Sequence, residues 1–330
     1  MSPLIEATGL SKTFGGEGGL FARKGEAVRA VDDVSLSVEP GETLALVGES
    51  GCGKSTLGRL MLRLIEADSG VMRFEGEDVL SLPAARMRDL RQKLQIIFQD
   101  PYGSLSPRRT IGQIIGEPLE VFGLAKSRRA RRDRVAELMQ AVGLPPAYMD
   151  RLPRQFSGGQ RQRVGIARAI GVNPAFIVAD EPVSALDVSI QAQIINLMQD
   201  LQRDQGFSYL FIAHDLAVIR HIADRVAVMY LGRVAEIGPK RQIYDAPQHP
   251  YTQALLSAAP EPELDRASGR IVLEGDVPSP SNVPSGCAFH TRCPIAQDVC
   301  ARERPPLREV APGQHAACHF AKPNPIPVAG

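Results

Sequence analysis

Neither sign of charge dominates this chain: 38 Lys and Arg stand against 37 Asp and Glu, a net charge of +1. No bulk polybasic field exists to recruit nucleic acid, and none is expected as a partner. Long apolar runs are missing too, with nothing approaching the ~20 residues that span a bilayer. The N-terminus lacks the charged-then-apolar layout of a signal peptide, so the expectation is a soluble chain inside the cell. Cysteine is scarce, five in 330 residues. In a cytosolic chain these would not form a disulfide framework. What is present is enough apolar material, 44 % of the residues, to bury one large domain with an appendage. The basic run Lys126-Ser127-Arg128-Arg129-Ala130-Arg131-Arg132-Asp133-Arg134 leads into the helical spacing Val135, Leu138, Met139, Val142. It reads as a solvated helix face, with contact to a partner or to lipid headgroups as the alternative.

The first chemistry-bearing motif is Gly48-Glu49-Ser50-Gly51-Cys52-Gly53-Lys54-Ser55-Thr56, preceded by the apolar run 43–47 and followed by a helical pattern. A complete G-x-x-x-x-G-K-[ST] between strand and helix is a phosphate loop, and its context makes a mere glycine-rich turn the poorer reading. Its glycines turn backbone N–H groups inward as an anion nest, and the helix N-terminus adds partial positive charge. Lys54 supplies a mobile full charge, Ser55 a hydroxyl for Mg²⁺, and Thr56 with backbone amides a hold on the α-phosphate. Cys52 lies inside the loop and is expected only to line it.

Further strands are expected at 94–98, 176–179 and 209–213, alternating with helical periodicity as in a mostly parallel sheet covered by helices. From Gln99 to Gln155 strand signals vanish, which predicts an inserted helical subdomain. The strand Phe176-Ile177-Val178-Ala179 ends in Asp180-Glu181. Asp180 suits Mg²⁺ through its water shell, and Glu181 suits orienting or polarising an attacking water. Neighbouring strand residues face opposite ways, so both serve one site only where the strand turns, which Pro182 encourages. His214 closes the strand Tyr209-Leu210-Phe211-Ile212-Ala213 and reads as a γ-phosphate sensor, a structural strand-end histidine being the bland alternative. Ser157-Gly158-Gly159-Gln160 opens a helix with a serine and two glycines, a second nest able to approach a phosphate closely; capping by Ser157 is compatible with that role.

On these motifs residues 4–260 resemble the nucleotide-binding subunit of an ABC transporter. The resemblance implies an α/β fold of the P-loop NTPase type: a mostly parallel sheet, an antiparallel β subdomain, the inserted helical subdomain at about 100–160, and a cysteine-containing C-terminal extension. It implies an ATPase domain over 1–260 and the extension over 261–330. Gln99 in Phe98-Gln99-Asp100-Pro101 matches the Q-loop that touches Mg²⁺ and reports to the membrane subunit. Ser157 to Gln160 matches the signature, Asp180 and Glu181 the Walker B pair, Ser184-Ala185-Leu186-Asp187 the D-loop, His214 the switch histidine, and Phe14 the aromatic that stacks on adenine. The family reading places the signature against ATP bound in the opposite subunit, so that ATP binding closes the dimer and hydrolysis opens it.

The stretches Asp180 to Ser189, His249-Pro250-Tyr251-Thr252 and Pro284 to Pro294 resemble the ATPases of dipeptide and oligopeptide importers, closest to the second of two paralogues. That implies a paralogous ATPase partner, two multi-span permease subunits and an extracytoplasmic substrate-binding protein. It also implies a peripheral place on the cytoplasmic face of the inner membrane. Relatives in this branch also carry nickel or glutathione. Non-transport ATPases of DNA repair or the ribosome, and exporters, are the competing classes. Beyond Glu261 the sequence is Pro-rich and weakly periodic, with Cys287, Cys293, Cys300 and Cys318 spaced x5, x6 and x17. Four thiolates would suit a [4Fe-4S] cluster, which relatives of this tail are associated with; Zn²⁺ or unligated thiols are the alternatives.

Overall fold

The computed structural model describes residues 2–15, 27–100, 102–258, 271 and 273–322. Cα packing divides the chain into two units. Among the described residues, one holds those of Val38–Thr43 and Ser81–Ile212 with residues 2–4; the other holds those of Ile5–Ser37, Leu44–Leu80 and the stretch from Ala213 onward.

In the first unit the strands Leu94–Ile97, Phe176–Asp180 and Ser208–Ile212 run parallel, with Phe176 in register with both Leu94 and Ser208. Every residue of the last two is buried. Covered on both faces, such strands read as unbroken apolar runs, which is why sequence located them to within one residue. The helical insertion is present as Ile111–Val121, Arg128–Ala141 and Gly158–Ile170, the last running past the expected end near 160. Thr110, Ser127 and Ser157 cap these helices, each hydroxyl accepting a first-turn N–H. The apolar stripes Ile111, Ile115, Leu119 and Val135, Leu138, Met139 are buried. Of the basic run, Arg131 pairs with Glu120, Arg132 with Asp150 and Arg134 with Glu137, mostly exposed contacts that make it a solvated face.

The second unit carries the antiparallel subdomain, Ile5–Phe14 against Ser69–Phe74 and that strand against Glu77–Asp78. It also carries a mixed sheet in which Thr43–Val47 runs parallel to Arg225–Tyr230, followed antiparallel by Arg233–Pro239, Gln314–Ala316 and Arg308–Ala311. Sequence reading did not place the strands Arg225–Tyr230 and Arg233–Pro239 of this sheet, and it missed three elements of the weakly periodic tail, the last two strands and the helix Asp298–Arg302. At three to five residues the tail elements are too short to carry a period.

Two buried groups join this sheet to the tail. The Glu236 carboxylate accepts the Gln248 and His249 backbone N–H groups and the Gln314 side-chain amide, at 2.8 to 2.9 Å. His249 Nδ1 accepts the Tyr251 N–H at 3.1 Å, and its ring also hydrogen-bonds the Ala317 backbone. Burial lowers the His249 pKa from 6.5 to about 4. The unfolded chain therefore binds a proton that the folded chain refuses. The stability contributed by neutral His249 is complete above about pH 6.5 and is lost as pH falls toward 4, reaching on the order of 1 kcal/mol by about pH 5.5. Burial raises the Glu236 pKa, which acts in the opposite sense, so the histidine is isolated by comparison with a variant. His249→Asn, keeping an acceptor for Tyr251, is expected to show a flatter fall of melting temperature between pH 7.5 and about 5.5. Equal slopes would remove His249 as the acid-sensitive group.

Candidate functional site

The phosphate loop is built between a fully buried strand, Thr43–Val47, and the helix Lys54–Met61. At its end Gly53 sits at φ +103, where a Cβ would lie 1.9 Å from the Ala30 carbonyl oxygen. Only glycine lets the chain turn into the helix there. Gly53 offers no side-chain cap, so first-turn N–H groups are left for an anion. Lys54 is buried, its ammonium donating to the carbonyls of Gly48 at 2.8 Å and Glu49 at 3.1 Å, a charge held inside the loop. Gly48 is buried, Ser50 and Gly51 are exposed, and Ser55 and Thr56 are half-buried on the first helical turn. Burial pushes the Cys52 thiol up, against the pull of Lys54, so it stays a protonated lining group.

In the other unit, buried Asp180 ends its strand and Glu181 follows at φ +46, a left-handed conformation unusual for a non-glycine residue. This is the turn that the adjacent carboxylates require. It is secured by the Glu181 N–H donating to Ile212 O at 3.0 Å and the Ser184 hydroxyl donating to Glu181 O at 3.1 Å. Gln99 Nε2 donates to Glu181 Oε2 at 2.8 Å, bringing together two residues 82 apart in sequence. Ser157 and Gln160 form a reciprocal capping box. The glycines of that turn lie against the following segment: a Cβ on Gly159 would meet Ile190 Cγ2, in the helix Val188–Gln205, at 2.6 Å, and one on Gly158 would meet Leu186 at 3.4 Å. Asp187 is exposed at the N-cap of the helix Val188–Gln205.

Phe14 ends its strand 44 % exposed, an accessible ring face. His214 is exposed just past Ser208–Ile212, ahead of Asp215, whose carboxylate caps the helix Leu216–Ile222 by accepting the Ala217 N–H at 2.8 Å. What sequence reasoning missed is an extension residue on the phosphate loop, Arg292 against Glu49, 243 residues apart. No local pattern links them; the one hint was the Pro284 to Pro294 stretch itself.

The four-cysteine expectation finds no support in the arrangement of these residues. Cys287, Cys293, Cys300 and Cys318 are all free thiols, the last two buried. Burial pushes the Cys287 thiol up to about 11, and the other three thiols add to the rise. Burial raises Cys293 and Cys318 as well. Among the described residues no group of three or more His, Cys, Asp or Glu is placed to hold a metal ion. So placed, these thiols do not present the set of converging ligands that a [4Fe-4S] cluster or zinc needs.

Residues 31–184 match the family model described as ABC transporter, and residues 235–300 match the one described as oligopeptide/dipeptide transporter, C-terminal region. The chain is 52 % identical over 323 residues to the oligopeptide transport ATP-binding protein AppF of Bacillus subtilis, covering 96 % of this chain and 97 % of that one. It is also 52 % identical over 320 residues to a probable peptide ABC transporter ATP-binding protein of Sinorhizobium fredii, covering 97 % and 90 %. Among solved structures, the dimeric post-hydrolysis state of the ATP-binding cassette MJ0796 bound to ADP and Pi matches with a TM-score of 0.64 at 29 % identity, over 72 % of this chain and 99 % of that one. Fold and phosphate loop thus define an ATP-hydrolysing cassette of the P-loop NTPase class. Within that class the chain belongs to the ATP-binding subunits of the peptide ABC transporter family. Among the described residues no helix is long and apolar enough to cross a membrane.

Proposed function

We propose that this chain powers peptide import, as the ATP-hydrolysing subunit peripheral to the cytoplasmic face of the inner membrane. Support for the cargo class comes from the match of residues 235–300 to the oligopeptide/dipeptide C-terminal region, with relatives aligned over nearly their whole length. In this reading residues 1–260 are the ATPase domain and 261–330 the extension. Gly48, Ser50, Gly51, Gly53, Lys54 and Thr56 cradle the phosphates, and Phe14 stacks on adenine. Ser55, Gln99 and Asp180 offer only oxygen donors, a set suited to Mg²⁺, which when bound neutralises charge developing on the phosphates. Glu181, oriented by Gln99, polarises the attacking water, and His214 senses the γ-phosphate. Ser157, Gly158, Gly159 and Gln160, with Asp187 beside them, act on nucleotide held by a partner ATPase. Hydrolysis of that nucleotide releases the dimer. No step runs through the four cysteines.

The proposed partners are a paralogous ATPase subunit, two multi-span permeases and an extracytoplasmic substrate-binding protein. The test is an affinity pull-down of Glu181→Gln with Mg-ATP from detergent-solubilised native membranes. Recovery of two permease chains and a paralogous ATPase is the expected result; ribosomal or DNA-associated proteins alone would overturn the reading. Uptake of a labelled oligopeptide by cells lacking this chain then tests the cargo. Loss of nickel or glutathione uptake with peptide uptake intact would transfer the assignment to those cargoes.

A further inference from the structure

We infer that Arg292, in the C-terminal extension, is a positioning residue for nucleotide binding, holding the phosphate loop in its binding shape through Glu49. The inference rests on the reading of that loop as the ATP site. Arg292 Nη1 donates to both Glu49 carboxylate oxygens at 3.2 and 3.0 Å, and Nη2 donates to Oε1 at 3.2 Å, a forked contact. The arginine side chain is 8 % exposed and the glutamate 27 %, so the pair is sheltered from the solvent that weakens surface ion pairs.

Glu49 is the second residue of the loop and is held at two more points. Its backbone N–H donates to the Tyr251 hydroxyl at 2.9 Å, and its carbonyl accepts from the Lys54 ammonium at 3.1 Å. The guanidinium itself is carried on a buried aromatic block. Phe289 packs on Tyr230 and Tyr251, with ring centroids 5.3 and 5.4 Å apart, and Tyr230 packs on Tyr251 at 4.6 Å. Phe289 caps the short turn His290–Arg292, and its carbonyl accepts the Arg292 N–H at 3.0 Å. Tyr251 belongs to His249-Pro250-Tyr251-Thr252 and Arg292 to the Pro284 to Pro294 stretch, two segments that the ATPase motifs leave without a role.

The physical consequence is electrostatic as well as geometric. A carboxylate on a loop that receives a triphosphate repels it, and the arginine fork offsets that charge and fixes the carboxylate in place. Nucleotide affinity thereby depends on a residue outside the ATPase domain, and the fold of the extension becomes an input to ATP binding.

The test is calorimetric titration of the full chain with Mg-ATP for wild type, Arg292→Ala, Glu49→Gln and the double variant. Arg292→Ala is expected to weaken binding about tenfold, within the usual range of coupling between sites. The double variant is expected to bind no more weakly than Glu49→Gln alone, because the repelling carboxylate is gone. In the assembled transporter the same Arg292→Ala change should raise KM for ATP with kcat within about twofold. Unchanged binding by Arg292→Ala, or losses that simply add in the double variant, would overturn the inference and reduce Arg292 to a prop of the extension. Failure of the wild-type chain to bind Mg-ATP would instead overturn the ATP-site reading beneath it. Should Arg292→Ala not fold, Arg292→Lys keeps the charge and loses the fork. A smaller loss, again cancelled by Glu49→Gln, supports the role, and no loss overturns it.

Discussion

Glu181→Gln is expected to keep Mg-ATP binding and to lower ATP hydrolysis by the assembled transporter roughly 100-fold or more, the usual cost of removing a positioned general base. The amide is isosteric and its oxygen still accepts from Gln99 Nε2, so the 2.8 Å contact and the left-handed turn at φ +46 should survive. What is lost is the negative charge that polarises water. Because nucleotide is bound but not consumed, the variant should accumulate as the closed ATPase dimer, measurable by gel filtration with ATP and its partner. Near-normal turnover in the purified complex would take Glu181 out of the catalytic role. Turnover lost together with Mg-ATP binding would mean that Glu181 serves binding instead.

Gly53→Ala carries the second large effect. Its Cβ would lie 1.9 Å from the Ala30 carbonyl oxygen, and the residue would be forced to remain at φ +103. Left-handed strain and a backbone collision together are expected to destabilise the fold by about 3 kcal/mol or more. Relief is possible only by moving the loop away from Ala30, which displaces Lys54 at the next position and with it the phosphate nest. A fall in melting temperature together with loss of Mg-ATP binding in a titration of the full chain is the expected pair of results. A variant that melts and binds like wild type would show that the loop does not depend on this turn. Gly51→Ala is the useful contrast: nothing lies within 4 Å of a Cβ there, so only the strain of φ +80 remains, and a milder effect is expected.

The legibility of this chain follows the range of the forces involved. The phosphate loop, the carboxylates at a strand end and the Ser-Gly-Gly turn are contiguous, because each must shape the backbone over a few residues to bring N–H groups or oxygens onto one ligand. The buried parallel strands were equally plain, since covering both faces demands an unbroken apolar run. Less legible was the tail. Its strand Arg308–Ala311 pairs with Gln314–Ala316, which in turn pairs with Arg233–Pro239 and sets buried Gln314 on Glu236, contacts that leave no period in three or four residues. The cysteine spacing was no guide to geometry either, because it counts thiols without stating whether their sulfurs converge.

Sequence alone determined the reaction class and the helical insertion, since those rest on local backbone chemistry and on periodicity. Only the tertiary structure decided that Gln99 reaches Glu181, that Glu181 adopts a left-handed turn, and that Arg292 of the extension grips Glu49 of the phosphate loop. The reason is physical: side chains 82 and 243 residues apart meet through the packing of whole strands and aromatic rings, and no short-range pattern encodes where such packing brings them.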